Sequence, residues 1–162
     1  KEANKVLGGG KAAAEFVKAY REFITLPSAK ASFHQLFVEL AEDGQVPSLY
    51  HCTTGKDRTG WATAALLTLL GVPKDEVYAD YLRSNDYIFP AYKRFIDHFV
   101  AEGGDQSIPP DILGVKVEYL EASFDEVKTQ YGSIEGYFDK GLGIDKAGQQ
   151  RLRDRFLVVA GK

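Results

Sequence analysis

The sequence predicts an α/β domain, and three features carry that prediction. Apolar residues recur at helical spacing through most of the 162 residues. One short stretch, 46–51, reads instead as a strand bounded by turn residues. Between that strand and the next helix lies a polar loop with a glycine in it, the strand–loop–helix arrangement that gathers backbone amides at one point. With 44% hydrophobic and 27% charged residues the chain has the composition of a globular protein, and its length fits one domain, 1–162.

The elements follow in order. Ala13, Phe16, Val17, Tyr20, Phe23 and Ile24 draw one apolar stripe and predict a helix over 12–24, led in by three glycines at 8–10 and stopped by Pro27. Phe33, Leu36, Phe37 and Leu40 predict a second helix over 30–42, closed by Asp43 and Gly44. After the strand and loop, 61–70 is apolar almost all round, so that helix is expected to be buried on most sides. Gly71 ends it, with Pro73 two residues on. Val77, Tyr81 and Leu82 predict a helix to about 84, and Tyr92, Phe95, Ile96 and Phe99 another at 91–101. Gly103 and Gly104, then Pro109 and Pro110, bracket a loop. Leu120, Phe124, Val127 and Tyr131 mark a helix at 117–131, while alternation through Val115, Val117 and Tyr119 leaves a short strand open there. Ser133 is the predicted N-cap of a short helix ended by Gly141, and Asp145 that of a last helix, 146–157.

A single strand cannot satisfy its own backbone groups, so partner strands are expected, either in stretches that do not read as strand or in sequence outside this chain. The chain opens at Lys1 and contains no methionine, which favours the second alternative and makes 1–162 the expected C-terminal portion of its domain.

Composition also narrows function. Twenty basic against 23 acidic residues give a net charge of −3, with no basic field to hold nucleic acid. No apolar run reaches the roughly 20 residues that span a bilayer. Cys52 is the one cysteine, which excludes an internal disulfide and a multi-cysteine zinc cluster. His34 and His98 have no ligand partners at metal spacing, so neither metal nor cofactor is expected. The glycine run before Lys11 lacks the spacing and the hydroxyl of a nucleotide loop.

What remains is His51-Cys52-Thr53-Thr54-Gly55-Lys56-Asp57-Arg58-Thr59-Gly60. A loop between strand and helix aims amides and the positive helix end at one point, and Gly55 permits the curvature that makes them a concave nest. Under such a nest the Cys52 thiol is expected to ionise well below its free value of about 8.5. Arg58 has the planar fork that holds two phosphate oxygens, and Lys56 adds a second positive charge. Thr59 can donate its hydroxyl to the sulfur, and His51 can order the cysteine from behind. Together these residues suit phosphoryl transfer in two steps through a cysteinyl-phosphate, with guanidinium and amides supplying the positive charge. The blander alternatives are a cysteine that only fills space, a solvated Lys56, and an Asp57 that only pairs with Lys56 or a backbone amide.

Cysteine, five residues, then arginine and a hydroxyl residue is the signature of cysteine-dependent tyrosine phosphatases. The full string resembles the bacterial and fungal tyrosine phosphatase family that includes the secreted mycobacterial and Listeria dual-specificity phosphatases. The likeness continues at Gly71-Val72-Pro73, at Asp80-Tyr81-Leu82 with Ser84-Asn85-Asp86, and at Tyr131-Gly132-Ser133 with Tyr137 and Gly141-Leu142-Gly143.

The resemblance implies a tyrosine phosphatase-like fold, a central sheet flanked by helices, with part of the sheet missing from this chain. It implies Cys52 as nucleophile, Arg58 as phosphate clamp, and Lys56 and Asp57 as loop residues that shape substrate choice. The backbone and side chains of Thr53, Thr54, Gly55, Lys56 and Thr59, with His51, complete the expected substrate site. The general acid is expected to be Asp57 or an aspartate outside the chain, because 25–50 holds only Asp43, in a turn. A helical lid is expected over 84–110. The implied substrates are phosphotyrosine, with phosphoserine, phosphothreonine or a phosphoinositide as further options, the last motivated by the Lys56 charge. The rival reading is a phosphate-binding module with little turnover. A thiol that must stay reduced suits a cytoplasm, although the relatives implied are exported.

Overall fold

The computed structural model describes residues 1–44 and 46–158. Among the described residues ten helices follow one another: α1 (Glu2–Leu7), α2 (Lys11–Thr25), α3 (Pro27–Ala41), α4 (Arg58–Leu69), α5 (Lys74–Leu82), α6 (Ser84–Ala101), α7 (Ile108–Leu113), α8 (Val117–Tyr131), α9 (Ile134–Gly136) and α10 (Lys146–Phe156), with a wide helical turn, Tyr137–Gly141, after α9.

Helix α4 is the centre of the molecule, as its nearly uniform apolar sequence demands. Trp61, Ala62, Ala64, Ala65, Leu66 and Leu69 are all buried. The Trp61 ring lies edge-on to Phe124 of α8 at 5.2 Å and tilted against Tyr137 at 5.8 Å. Truncating a fully buried tryptophan of this kind costs about 3–5 kcal/mol. The principal helix pair is α2 with α8. Phe16 stacks on Tyr119 at 5.4 Å, and Ser123 donates to the Tyr20 carbonyl at 2.7 Å. Helix α3 closes the other side, with Phe37 against Phe138 at 4.7 Å. The two predicted caps form: the Ser133 hydroxyl accepts from the Gly136 amide at 3.1 Å, and Asp145 from that of Gly148 at 2.8 Å.

The central sheet is not there. No strand forms among the described residues, neither at 46–51 nor at 115–119, so the α/β expectation is corrected to an all-helical arrangement. A strand is a property of a pair, and this chain offers no second edge to accept its ladder. Pro47 adds to the difficulty, since it has no N–H to give. Leu49, which a sheet would have covered, is 92% exposed. The segment is fastened instead by side chains: Tyr50 and Thr63 of α4 share a hydrogen bond of 2.7 Å. At 115–119 the alternation is overridden by helix α8, which buries Tyr119 and Leu120 together. Val115 is held just outside it, because Asn85 both donates to its carbonyl (2.9 Å) and accepts from its amide (2.8 Å).

Proline positions account for the other differences. Pro27 does not simply stop α2 but opens α3, with Leu26 as the shared residue between them. Pro109 lies in the first turn of α7 rather than in a loop. Helix α6 starts at Ser84, seven residues before the sequence suggests, and carries Pro90 within it. Helix α1 forms before the three glycines, in a stretch assigned no element from sequence, and Asn4 ties it down by donating to Gly103 (2.8 Å) and accepting from the Asp105 amide (2.8 Å).

Candidate active site

The loop that follows Tyr50 ends where α4 begins, and its geometry follows from that junction. Gly55 has φ +72, a left-handed conformation that glycine adopts freely and other residues adopt only with strain. This turn brings the Thr54 and Gly55 amides to the same side as the first turn of α4. All of them, with the Thr59 amide, donate to the Cys52 sulfur. The Thr59 hydroxyl is buried with no hydrogen-bond partner of its own, and its nearness to the sulfur helps lower the thiol. Partial burial pushes the Cys52 thiol up, but these donors outweigh it and bring its pKa from the ordinary 9.0 down to about 6. The sulfur is therefore mostly thiolate at neutral pH, and the residue is only half-buried.

Arg58, Cys52, Thr59 and His51 line one cavity of about 610 Å³. The rest of its wall is largely apolar: Phe23, Leu26, Phe33 and Leu36 from α2, α3 and the residue between them, with Tyr50. Arg58 donates through Nη2 to the Thr53 hydroxyl at 3.0 Å, which steadies the exposed guanidinium on the rim. His51 places Nδ1 2.9 Å from the Cys52 carbonyl, so it orders the main chain at Cys52 rather than touching the sulfur.

Lys56 and Asp57 face the other way. Lys56 is 4% exposed and lines no part of the cavity. Its ammonium donates to Asp57 Oδ1 at 2.8 Å and to the Gly114 carbonyl at 3.1 Å, and lies 4.9 Å over the Phe16 ring. A buried ammonium requires such partners. Asp57 Oδ1 accepts a second hydrogen bond from the Tyr20 hydroxyl at 2.9 Å.

Tyr20, Phe16 and Gly114 thus belong to the surroundings of the loop, and sequence reasoning missed them as such. Tyr20 and Phe16 read simply as members of an apolar stripe. Gly114 carried a weak signal, an isolated glycine beside a helix. A Cβ there would lie 2.7 Å from the Pro110 carbonyl and 2.7 Å from Phe89, so only glycine fits where its carbonyl reaches Lys56.

A depressed thiol, a guanidinium on the same cavity wall and a ring of amides can bind a phosphoryl group and attack it in line. The comparisons agree with that chemistry. The model of the tyrosine phosphatase family matches residues 1–158. The triple specificity protein phosphatase PtpB of Mycobacterium tuberculosis is 35% identical over 146 residues, which are 83% of this chain and 51% of that protein. A putative tyrosine-protein phosphatase of Cupriavidus necator is 34% identical over 122 residues, 75% of this chain and 43% of that one. A tyrosine-protein phosphatase of Nostoc commune is 35% identical over 138 residues, 80% and 46% of the two chains. The chain spans about half the length of the curated relatives it matches. Matched by the family model over residues 1–158 and about a third identical to each of these proteins, this chain belongs to the tyrosine phosphatase family.

Proposed function

We propose that this chain hydrolyses phosphomonoesters, phosphotyrosine foremost, through a cysteinyl-phosphate. The Cys52 thiolate attacks phosphorus and forms an S–P bond while the P–O bond to the substrate breaks. The leaving oxygen takes its proton from a general acid: Asp57, if its carboxylate turns from Lys56 and Tyr20 to the cavity, or an aspartate outside this chain. Water then gives a proton to the base form of that acid and attacks phosphorus, the S–P bond breaks, and inorganic phosphate leaves with the thiolate restored. The Arg58 fork and the loop amides carry the negative charge of both transition states, in the place a metal ion would otherwise fill.

The observation that carries this reading is the shared cavity: a thiol brought down to about 6 opens into the same space as the one guanidinium on that wall. The apolar wall supports an aryl ester as the preferred substrate. PtpB's name, triple specificity, widens the class to be examined to phosphoserine, phosphothreonine and phosphoinositides. Residues 84–110 are our proposed cover for the site. Tyr87 and Arg83 flank a second cavity, of about 360 Å³, that opens on Gly55 and Thr59 of the loop. The low thiol pKa requires a reducing compartment, in the producing cell or beyond it. Among the described residues no helix is long and apolar enough to cross a membrane.

The deciding experiment is hydrolysis of an aryl phosphate with and without chelator. Turnover that persists with chelator and vanishes in Cys52→Ser supports the proposal. Phosphate binding without turnover in the native chain supports the binding-module reading instead.

A further inference from the structure

A carboxylate beside an anion site competes for the donors that the anion needs. Asp57 stands where that competition is sharpest. It is the N-cap of α4, and an aspartate at that position ordinarily turns back to accept from the amide of the second or third helical residue. The second residue is Thr59, whose amide serves the Cys52 sulfur. Asp57 instead has a helical backbone, φ −85 and ψ −75, and makes no side-chain cap bond, while the Gly60 amide already donates to the Lys56 carbonyl at 3.1 Å.

Two donors hold it elsewhere. Oδ1 receives Lys56 Nζ at 2.8 Å and the Tyr20 hydroxyl at 2.9 Å. Tyr20 is fully buried on α2, its ring packed against Phe23 at 4.9 Å and Tyr119 at 5.7 Å. Its hydroxyl also lies 2.7 Å from that of Tyr81. Tyr20 has one proton, and that proton goes to Asp57, so the shared bond is donated by Tyr81. The donors run in one direction, from Tyr81 to Tyr20 to Asp57. Burial pushes the ionisation of both tyrosines upward, so both stay protonated at working pH. On the cavity side the titratable groups are Cys52, Arg58, His51 and Tyr50, with no carboxylate among the described lining residues. Asp57 is therefore the carboxylate of the loop itself that must be kept away.

We propose that Tyr20 is a positioning residue: its hydroxyl, together with Lys56, holds the Asp57 carboxylate off the first turn of α4 and leaves those amides to the sulfur and the incoming phosphoryl group. The inference rests on Cys52 being the nucleophile. It is independent of whether Asp57 also delivers the proton.

Tyr20→Phe tests it, since that change removes one oxygen and keeps the ring. Two readouts apply, neither of which needs turnover: the pH dependence of Cys52 alkylation by iodoacetamide, and binding of inorganic phosphate by calorimetry. In Tyr20→Phe the alkylation midpoint is expected to rise by about one pH unit, and phosphate to bind about tenfold more weakly. In an Asp57→Ala background, where no carboxylate remains to swing, the same Tyr20→Phe change is expected to move neither. Equal shifts in both backgrounds, or no shift in either, would overturn the proposal. Should Tyr20→Phe not fold, Tyr81→Phe carries the test. It frees Tyr20 from its own donor and is expected to move both readouts in the same direction by less; an unmoved thiol overturns the proposal. Absence of aryl phosphate hydrolysis in the native chain would count against the phosphatase reading, and the thiol and phosphate measurements would still answer for Tyr20.

Discussion

The two sides of the loop 52–59 are held by opposite means. On the cavity side Cys52 and Arg58 face open space, and their partners are main-chain amides and two threonine hydroxyls. On the inner side Lys56 and Asp57 bond each other and reach the helical body, α2 through the Tyr20 hydroxyl and the end of α7 through the Gly114 carbonyl. The difference teaches how a reactive site is kept both poised and rigid. Groups that must meet a ligand are left short of partners, and their neighbours in sequence are tied down so that the backbone between them cannot relax.

Substitutions on the cavity side are expected to remove chemistry and spare the fold, and those on the inner side to do the reverse. The largest effect is Cys52→Ser, expected to lower aryl phosphate turnover at least about a thousandfold while thermal unfolding stays within a few degrees. An active serine variant would place the nucleophile elsewhere. Next is Arg58→Lys, which keeps a charge and loses the fork; kcat/KM is expected to fall about a hundredfold. A change confined to KM would show that Arg58 binds the ground state and transition state alike.

On the inner side, Lys56→Met removes a buried cation from Asp57 and Gly114. Urea unfolding is expected to report a loss of about 2 kcal/mol. If stability is unchanged while phosphate binding collapses, Lys56 belongs to the cavity side after all and the comparison fails.

The thiol supplies a smaller effect, with a definite sign. Folding lowers its pKa from 9.0 to about 6, so the thiolate favours the folded state. That contribution is fully present above pH 9 and is lost as pH falls through about 6. The stability difference between the native chain and Cys52→Ser is therefore expected to grow from pH 6 to pH 9, and kcat/KM to rise on its acidic limb near pH 6. A limb near pH 8 would mean that the amides do not hold the sulfur. The smallest expected change is in hydrogen exchange. Phosphate is expected to slow exchange across 84–110, whose helix α6 contributes no buried residue, and to leave α4 beyond its first turn unaltered.

How much of this was legible without coordinates depends on the distance over which each decision is made. Helices α2 and α8 repeat their apolar residues every three or four positions, and that spacing locates them, while α4 shows as a nearly unbroken apolar run between a loop and Gly71. The caps at Ser133 and Asp145 act over three residues and form as read. Pro27 and Pro109 misled because proline that cannot continue a helix is well suited to start one. The predicted strand failed for a deeper reason: local pattern can propose a strand, but only a partner can make one.

Within the candidate site the same division holds. The spacing of Cys52, Gly55, Arg58 and Thr59 lies inside eight residues, and one helix turn brings those groups together whatever the rest of the chain does. That much the sequence by itself determined, along with the helices around it. Tertiary structure alone decided which way Lys56 and Asp57 turn. Their partners are Tyr20, 37 residues from Asp57, and Gly114, 58 residues from Lys56. A charge buried among such distant groups has its direction chosen by the packing that surrounds it, and packing has no period that a sequence can display.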